Sequence, residues 1–227
     1  MFERLTPNTM RTRIAQQIRQ VILSNQLKQG ERLIERKLAT ALGASLTAVR
    51  EALIELESEG LIVKRANLGT YVNTMGMAEI EKIFEVRSVL EAFAVVEAAR
   101  NATDEQIAAL ETTYLEMVDA ARAQDTRTFN QRDMEWHAQV WRMSGNEYAE
   151  SALRRAVLPY FAFIAIRIAA VDPMSLLRDA LGHLPLLEAI KSRDAEKAQQ
   201  AFASTLEGWL AITRTEFSDE GHLEARA

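Results

Sequence analysis

Residues 33–61 read LIERKLATALGASLTAVREALIELESEGL, and their punctuation is helical. Val49, Ala52, Leu53 and Leu56 follow the i, i+3, i+4, i+7 spacing of a single buried stripe. Ser45 stands where an N-cap belongs, and Gly60 where a helix ends in a left-handed residue. The spacing predicts a helix over 46–59. A shorter helix over 35–42 stops near Gly43. Upstream, a helix over 10–24 places Ile14, Ile18, Val21 and Ile22 on one face, and 27–30 is a turn. Downstream, LIVKR and TYVN read as two short strands around Ala66-Asn67-Leu68-Gly69, a hairpin. Three helices and a two-stranded wing are the order of a winged helix-turn-helix.

In such a motif the second helix of the pair enters the major groove by its N-terminal end. With the apolar stripe turned inward, Leu46, Thr47 and Arg50 lie on or near the outer face. Arg50 can reach a guanine edge or a phosphate, and Ser45 and Thr47 can bond phosphates. Lys64, Arg65 and Gly69 of the wing suit the DNA backbone or minor groove. The same fold also serves protein contacts, with Arg50 paired to Glu51 or Glu55. On pattern alone both readings stand.

Charge divides the chain of 227 residues. Residues 1–75 carry 11 basic and 7 acidic side chains, a net of +4, and residues 76–227 carry 16 and 25, a net of −9. A basic head on an acidic remainder suggests a polyanion-binding domain over 1–75 joined to a second domain over 76–227. The chain has no cysteine, which excludes disulfides, thiolate zinc sites and thiol nucleophiles. Histidine chemistry is confined to His137, His183 and His222. The first ten residues lack the apolar run of a secretory signal. The most apolar segment, 156–171, contains Pro159 and Arg167 and is shorter than the roughly 20 residues of a membrane span. A soluble, cytoplasmic protein is expected.

From residue 76 onward the pattern is helical, so the fold class is mainly α. Helices are predicted over 77–100, 104–123, 127–143, 146–169, 174–192 and 195–217. Thr103 with Gln106 has capping-box spacing, Asp172-Pro173 pairs an N-cap with a first-turn proline, and Asp194 can cap the last helix. Pro159 and Pro185 are expected to kink or interrupt their helices. Trp136, Trp141, Trp209, Phe161 and Phe163 are expected to build core and dimer contacts. Asp133 and His137, four apart, share a helix face and can chelate a divalent cation, or Asp133 can simply orient His137.

Two resemblances then become specific. The runs LIERKLA (33–39), LGAS (42–45), VREAL (49–53) and LESEGL (56–61), with spacing kept through Gly69 and Val72, resemble the DNA-binding domain of GntR-type bacterial transcription regulators. In that family the residues matching Arg36, Ser45, Thr47, Arg50 and Gly69 contact operator DNA. The family usually has arginine where this chain has Leu46 and Leu68. RSVLE (87–91), DMEWH (133–137), SGN (144–146) and HLPLLEAI (183–190) resemble the all-helical effector domain of the FadR subfamily. That resemblance implies a metal, often zinc, on one Asp and three His, with a carboxylate effector at the open positions. Three ligands map onto Asp133, His137 and His183, and the fourth onto Thr205, a poor zinc ligand. It leaves a three-ligand metal site or a metal-free acid pocket. Arg87 and Arg167, with Thr205, can meet an anionic effector, or Arg87 can pair with Glu91.

Together the resemblances imply a homodimeric, ligand-responsive regulator of an operator, acting as a repressor and not as an enzyme. Two other readings follow from the same residues. One is a ligand-binding protein with weakened operator recognition, because of Leu46 and Leu68. The other is a metal-dependent enzyme with Glu135 as base.

Overall fold

The computed structural model describes residues 10–24, 26–168 and 173–220. The chain runs α1 (Met10–Leu23), β1 (Arg32–Leu33), α2 (Glu35–Leu42), α3 (Leu46–Ser58), β2 (Ile62–Arg65) and β3 (Gly69–Val72). Seven further helices follow: α4 (Met77–Asn101), α5 (Asp104–Arg122), α6 (Thr126–Met143), α7 (Glu147–Ile168), α8 (Pro173–Gly182), α9 (Leu184–Lys191) and α10 (Ala195–Glu220). The mainly α class and the winged helix-turn-helix follow from this order.

The punctuation acts as its chemistry requires. Ser45 accepts a hydrogen bond from the Ala48 amide and starts α3. Gly60, at φ +74°, takes the left-handed turn that ends it. Thr103 and Gln106 close a reciprocal capping box at the head of α5. Asp194 accepts from the amides of Glu196 and Lys197 and starts α10. Asp172, expected as a cap, lies outside the described residues.

Three expectations change. The wing is a three-stranded antiparallel sheet in the order β1-β3-β2, with Arg32 opposite Tyr71 and Leu33 opposite Thr70. A two-residue strand is too short to show periodicity. The single helix expected over 174–192 is two helices, with Pro185 in the first turn of α9, where its missing N–H is harmless. Pro159, by contrast, interrupts nothing: α7 continues through it.

Two cores form. Val49, Ala52, Leu53 and Leu56 of α3 pack with Ile14, Ile18 and Ile22 of α1 and Val72 of β3. A larger core joins α4 to α10 around Trp136, Trp141, Met117 and Phe202. The two halves meet on α7. A Cβ on Gly60 would stand 2.2 Å from Pro159 Cγ, so the missing side chain lets the proline ring seat there. Ile22, Leu61 and Val72 of the winged helix line the same seam with Pro159 and Phe163. Among the described residues, no helix is long and apolar enough to cross a membrane.

Candidate functional site

The N-terminal surface comes first. Thr47 and Arg50 are exposed on the first turns of α3, beside the capping Ser45, and Leu46 is 38% exposed. Arg50 is tied to neither Glu51 nor Glu55. Its Nε donates to Glu35 Oε2 of α2 at 2.7 Å, next to the exposed Arg36. In the wing, Arg65 stacks its guanidinium over Tyr71 at 5.0 Å, and Lys64 is 3.8 Å from Glu57. Leu68 is 57% exposed at the turn. Gly69, at φ +117°, leaves room for Arg32: an added Cβ would stand 3.2 Å from Arg32 Nε. Arg32 was not picked out by sequence, since its place beside the wing depends on the β1–β3 pairing.

The second site lies inside the helical core. Asp133 and His137 stand one turn apart on α6, and His183 stands between α8 and α9. All three are buried. The two Nε2 atoms are 3.3 Å apart, and Asp133 Oδ1 is 3.0 Å from His183 Nε2 and 3.8 Å from His137 Nε2. Each ring is held from outside. Glu91 Oε1 sits 2.8 Å from His137 Nδ1, and the Asp179 carbonyl sits 3.0 Å from His183 Nδ1. Acceptors there favour a proton on Nδ1 and turn each Nε2 lone pair toward the other. Two such lone pairs repel unless a cation or a proton lies between them. Burial opposes charge on both rings. At His183 the contact with Asp133 outweighs it and the pKa is raised; at His137 burial prevails over Glu91 and the pKa is lowered.

Glu91 organises this interior. Burial alone would raise its pKa, but Arg87 and then His137 hold it far below the usual carboxylate range. It accepts from Arg87 Nε at 2.7 Å and from Trp141 Nε1 at 2.9 Å. Sequence spacing shows the Arg87–Glu91 pair but not the contacts to His137 and Trp141, 46 and 50 residues away. Arg87 is 1% exposed, and its Nη2 has no hydrogen-bond partner among the described residues. The rings of Phe84, Tyr160, Phe161 and Trp209 surround its guanidinium carbon at 5.1–5.8 Å.

A cavity of about 50 Å³ connects these groups. Arg87, Asp133, His137 and His183 line it together with Tyr160, Phe161 and Trp209. Phe161 and Trp209 are therefore cavity wall as well as core. Thr205 is half-buried and does not line the cavity; Trp209, one turn later on α10, stands over both imidazoles instead. The side chain of Arg167 and the whole of His222 lie outside the described residues. Glu135 is held by Arg142 at 2.5 Å and does not line the cavity. The donors fit a divalent metal. An Nε2 separation of 3.3 Å matches the edge of a tetrahedron with bonds of about 2.0–2.1 Å. Asp133 Oδ1, buried, lacks a well-aligned hydrogen bond.

Comparison with known proteins agrees with both halves. The model of bacterial regulatory proteins of the gntR family matches residues 10–72, and that of the FCD domain matches residues 82–208. The chain is 27% identical over 211 residues to a protein of Paenarthrobacter nicotinovorans named "Probable D-xylose utilization operon transcriptional repressor", covering 93% of this chain and 92% of that one. It is 27% identical over 226 residues to the transcriptional repressor NanR of Salmonella arizonae, covering 85% and 80%. The solved structure of Escherichia coli McbR/YncC shares the fold, with a TM-score of 0.79 at 22% identity, covering 92% of this chain and 99% of that one. The chain therefore belongs to the GntR family of bacterial transcription regulators, in the FadR-type branch that joins a winged helix to an FCD domain.

Proposed function

We propose that this regulator reads an operator with Arg36, Ser45, Thr47 and Arg50, steadied by Lys64, Arg65 and Gly69 of the wing. The domain boundary falls between Met75 and Gly76. A small organic acid binds the helical domain and releases the DNA, so that the protein acts as a cytoplasmic repressor. One observation supports this reading above the others: the buried Arg87, whose Nη2 has no hydrogen-bond partner among the described residues, lines a cavity together with two histidines and an aspartate. A carboxylate would satisfy that nitrogen through a charge-assisted hydrogen bond.

Asp133, His137 and His183 would hold a divalent metal, zinc by donor type. When bound, it would supply positive charge that attracts the carboxylate. Glu91 and the Asp179 carbonyl keep the two imidazoles oriented, and the aromatic wall excludes water. Arg87 orients the acid.

Dimerisation belongs to the same proposal. Val86, Val89 and Phe93 form an outward stripe on α4, with Val89 67% and Phe93 41% exposed. A second copy laying the same stripe against it would bury these side chains. Sedimentation of the full chain at twice its monomer mass is expected, and a monomer at micromolar concentration would exclude this arrangement.

The DNA reading is tested by gel shift with the DNA preceding the protein's own gene. Arg50→Ala should weaken the complex about tenfold or more, the scale of one lost arginine–base contact. An unchanged shift at physiological salt would overturn the assignment.

A further inference from the structure

Trp209 belongs to the core of the helical domain and also lines the cavity. Its indole sits 4.9 Å from the ring of His183 and 5.6 Å from that of His137. The Arg87 guanidinium carbon lies 5.2 Å from the same indole. So one side chain on α10 touches the three groups that a bound acid would use. Its seat depends on Gly182, the last residue of α8: a Cβ there would stand 3.2 Å from Trp209 Nε1.

The remaining space is small. A buried water needs roughly 10–15 Å³ of such volume, so about 50 Å³ holds roughly three to five water-sized groups. That is the bulk of acetate or glycolate and far below that of a six-carbon sugar acid. Arg87 Nη2 and the histidine cluster can meet the carboxylate, while the indole stands where a longer carbon chain would go.

We propose that Trp209, seated against Gly182, sets the size of the effector and restricts it to acids of two to three carbons. The inference rests on the reading of this cavity as an acid site. Substituting a smaller side chain at 209 opens the cavity and admits longer acids.

Isothermal titration calorimetry on the full-length, zinc-supplemented protein tests this, with acetate, glycolate, lactate and gluconate as probes. The wild type should bind the short acids and bind gluconate at least about tenfold more weakly, the discrimination a shaped pocket provides. Trp209→Leu should gain about tenfold for gluconate relative to acetate. Gluconate binding the wild type as tightly as glycolate would overturn the size limit and leave the acid site standing, and it needs no variant to fold. A Trp209→Leu protein that melts cooperatively yet gains nothing for gluconate would overturn it as well. If none of the four acids binds either protein, the acid-site reading itself fails, and this inference falls with it.

Discussion

Arg50 and Arg87 each hold a carboxylate oxygen at 2.7 Å, yet the side chain of Arg50 is 60% exposed and that of Arg87 1%. The Arg50–Glu35 pair lies in water, where such contacts contribute about 0–1 kcal/mol. Arg50 can therefore leave Glu35 for a phosphate or a base at little cost. The Arg87–Glu91 pair lies in a low-dielectric interior, where removing one partner strands a charge. One region of the molecule is built to exchange partners and the other to keep them.

The sharpest way to break this comparison is to delete both acids in turn. Glu91→Ala should destabilise the protein by about 3–5 kcal/mol, since it strands Arg87 and also frees His137 and Trp141. Glu35→Ala should cost less than about 1 kcal/mol. Chemical denaturation measures both, and similar losses would show that burial does not set the difference.

Next in size is the seam between the regions. Gly60→Ala puts an L-residue at φ +74° and a methyl group 2.2 Å from Pro159 Cγ. The left-handed conformation alone costs about 1–2 kcal/mol. At about 2–4 °C per kcal/mol for a chain of this size, the melting temperature should fall by several degrees. Pro159→Ala should shrink that loss without abolishing it, because the Cβ of residue 159 lies within 2.9 Å. A purely additive double mutant would mean that the two residues do not communicate.

The smallest effect concerns the surface alone. Leu68 is 57% exposed in the wing. Leu68→Arg should leave stability within about 0.5 kcal/mol and steepen the salt dependence of DNA binding by about one unit in the logarithmic slope. A flat response would place the wing turn away from the phosphates.

The same contrast explains what could be read in advance. The head is encoded locally: the α3 stripe, the Ser45 cap and the Gly60 stop lie within sixteen residues of one another. Within the bundle, Arg87 with Glu91 and Asp133 with His137 were legible because four residues make one helical turn. Glu91 beneath His137, and Trp209 over both histidines, were not, since both arise from packing of helices distant in sequence. Thr205 shows the limit of motif matching. The resemblance implied a ligand position there, but one turn of α10 separates Thr205 from Trp209, which meets the cluster. Pro159 misled for a related reason, because its ring is accommodated by a partner, Gly60, from the other half of the chain.

Successive residues of α7 face opposite concerns. Pro159 abuts the winged helix, while Tyr160 and Phe161 line the cavity. Leu23, at the end of α1, shares a small crevice with Phe161 and Asp133. Between Pro159 on one side and Phe161 on the other stands one helix, about 10 Å thick. In genetic terms, adjacent codons of this helix belong to different mutant classes. On the proposed function, lesions at 160 and 161 are expected to give regulators that hold DNA and ignore the acid, and a lesion at 159 one that binds the acid without releasing the DNA.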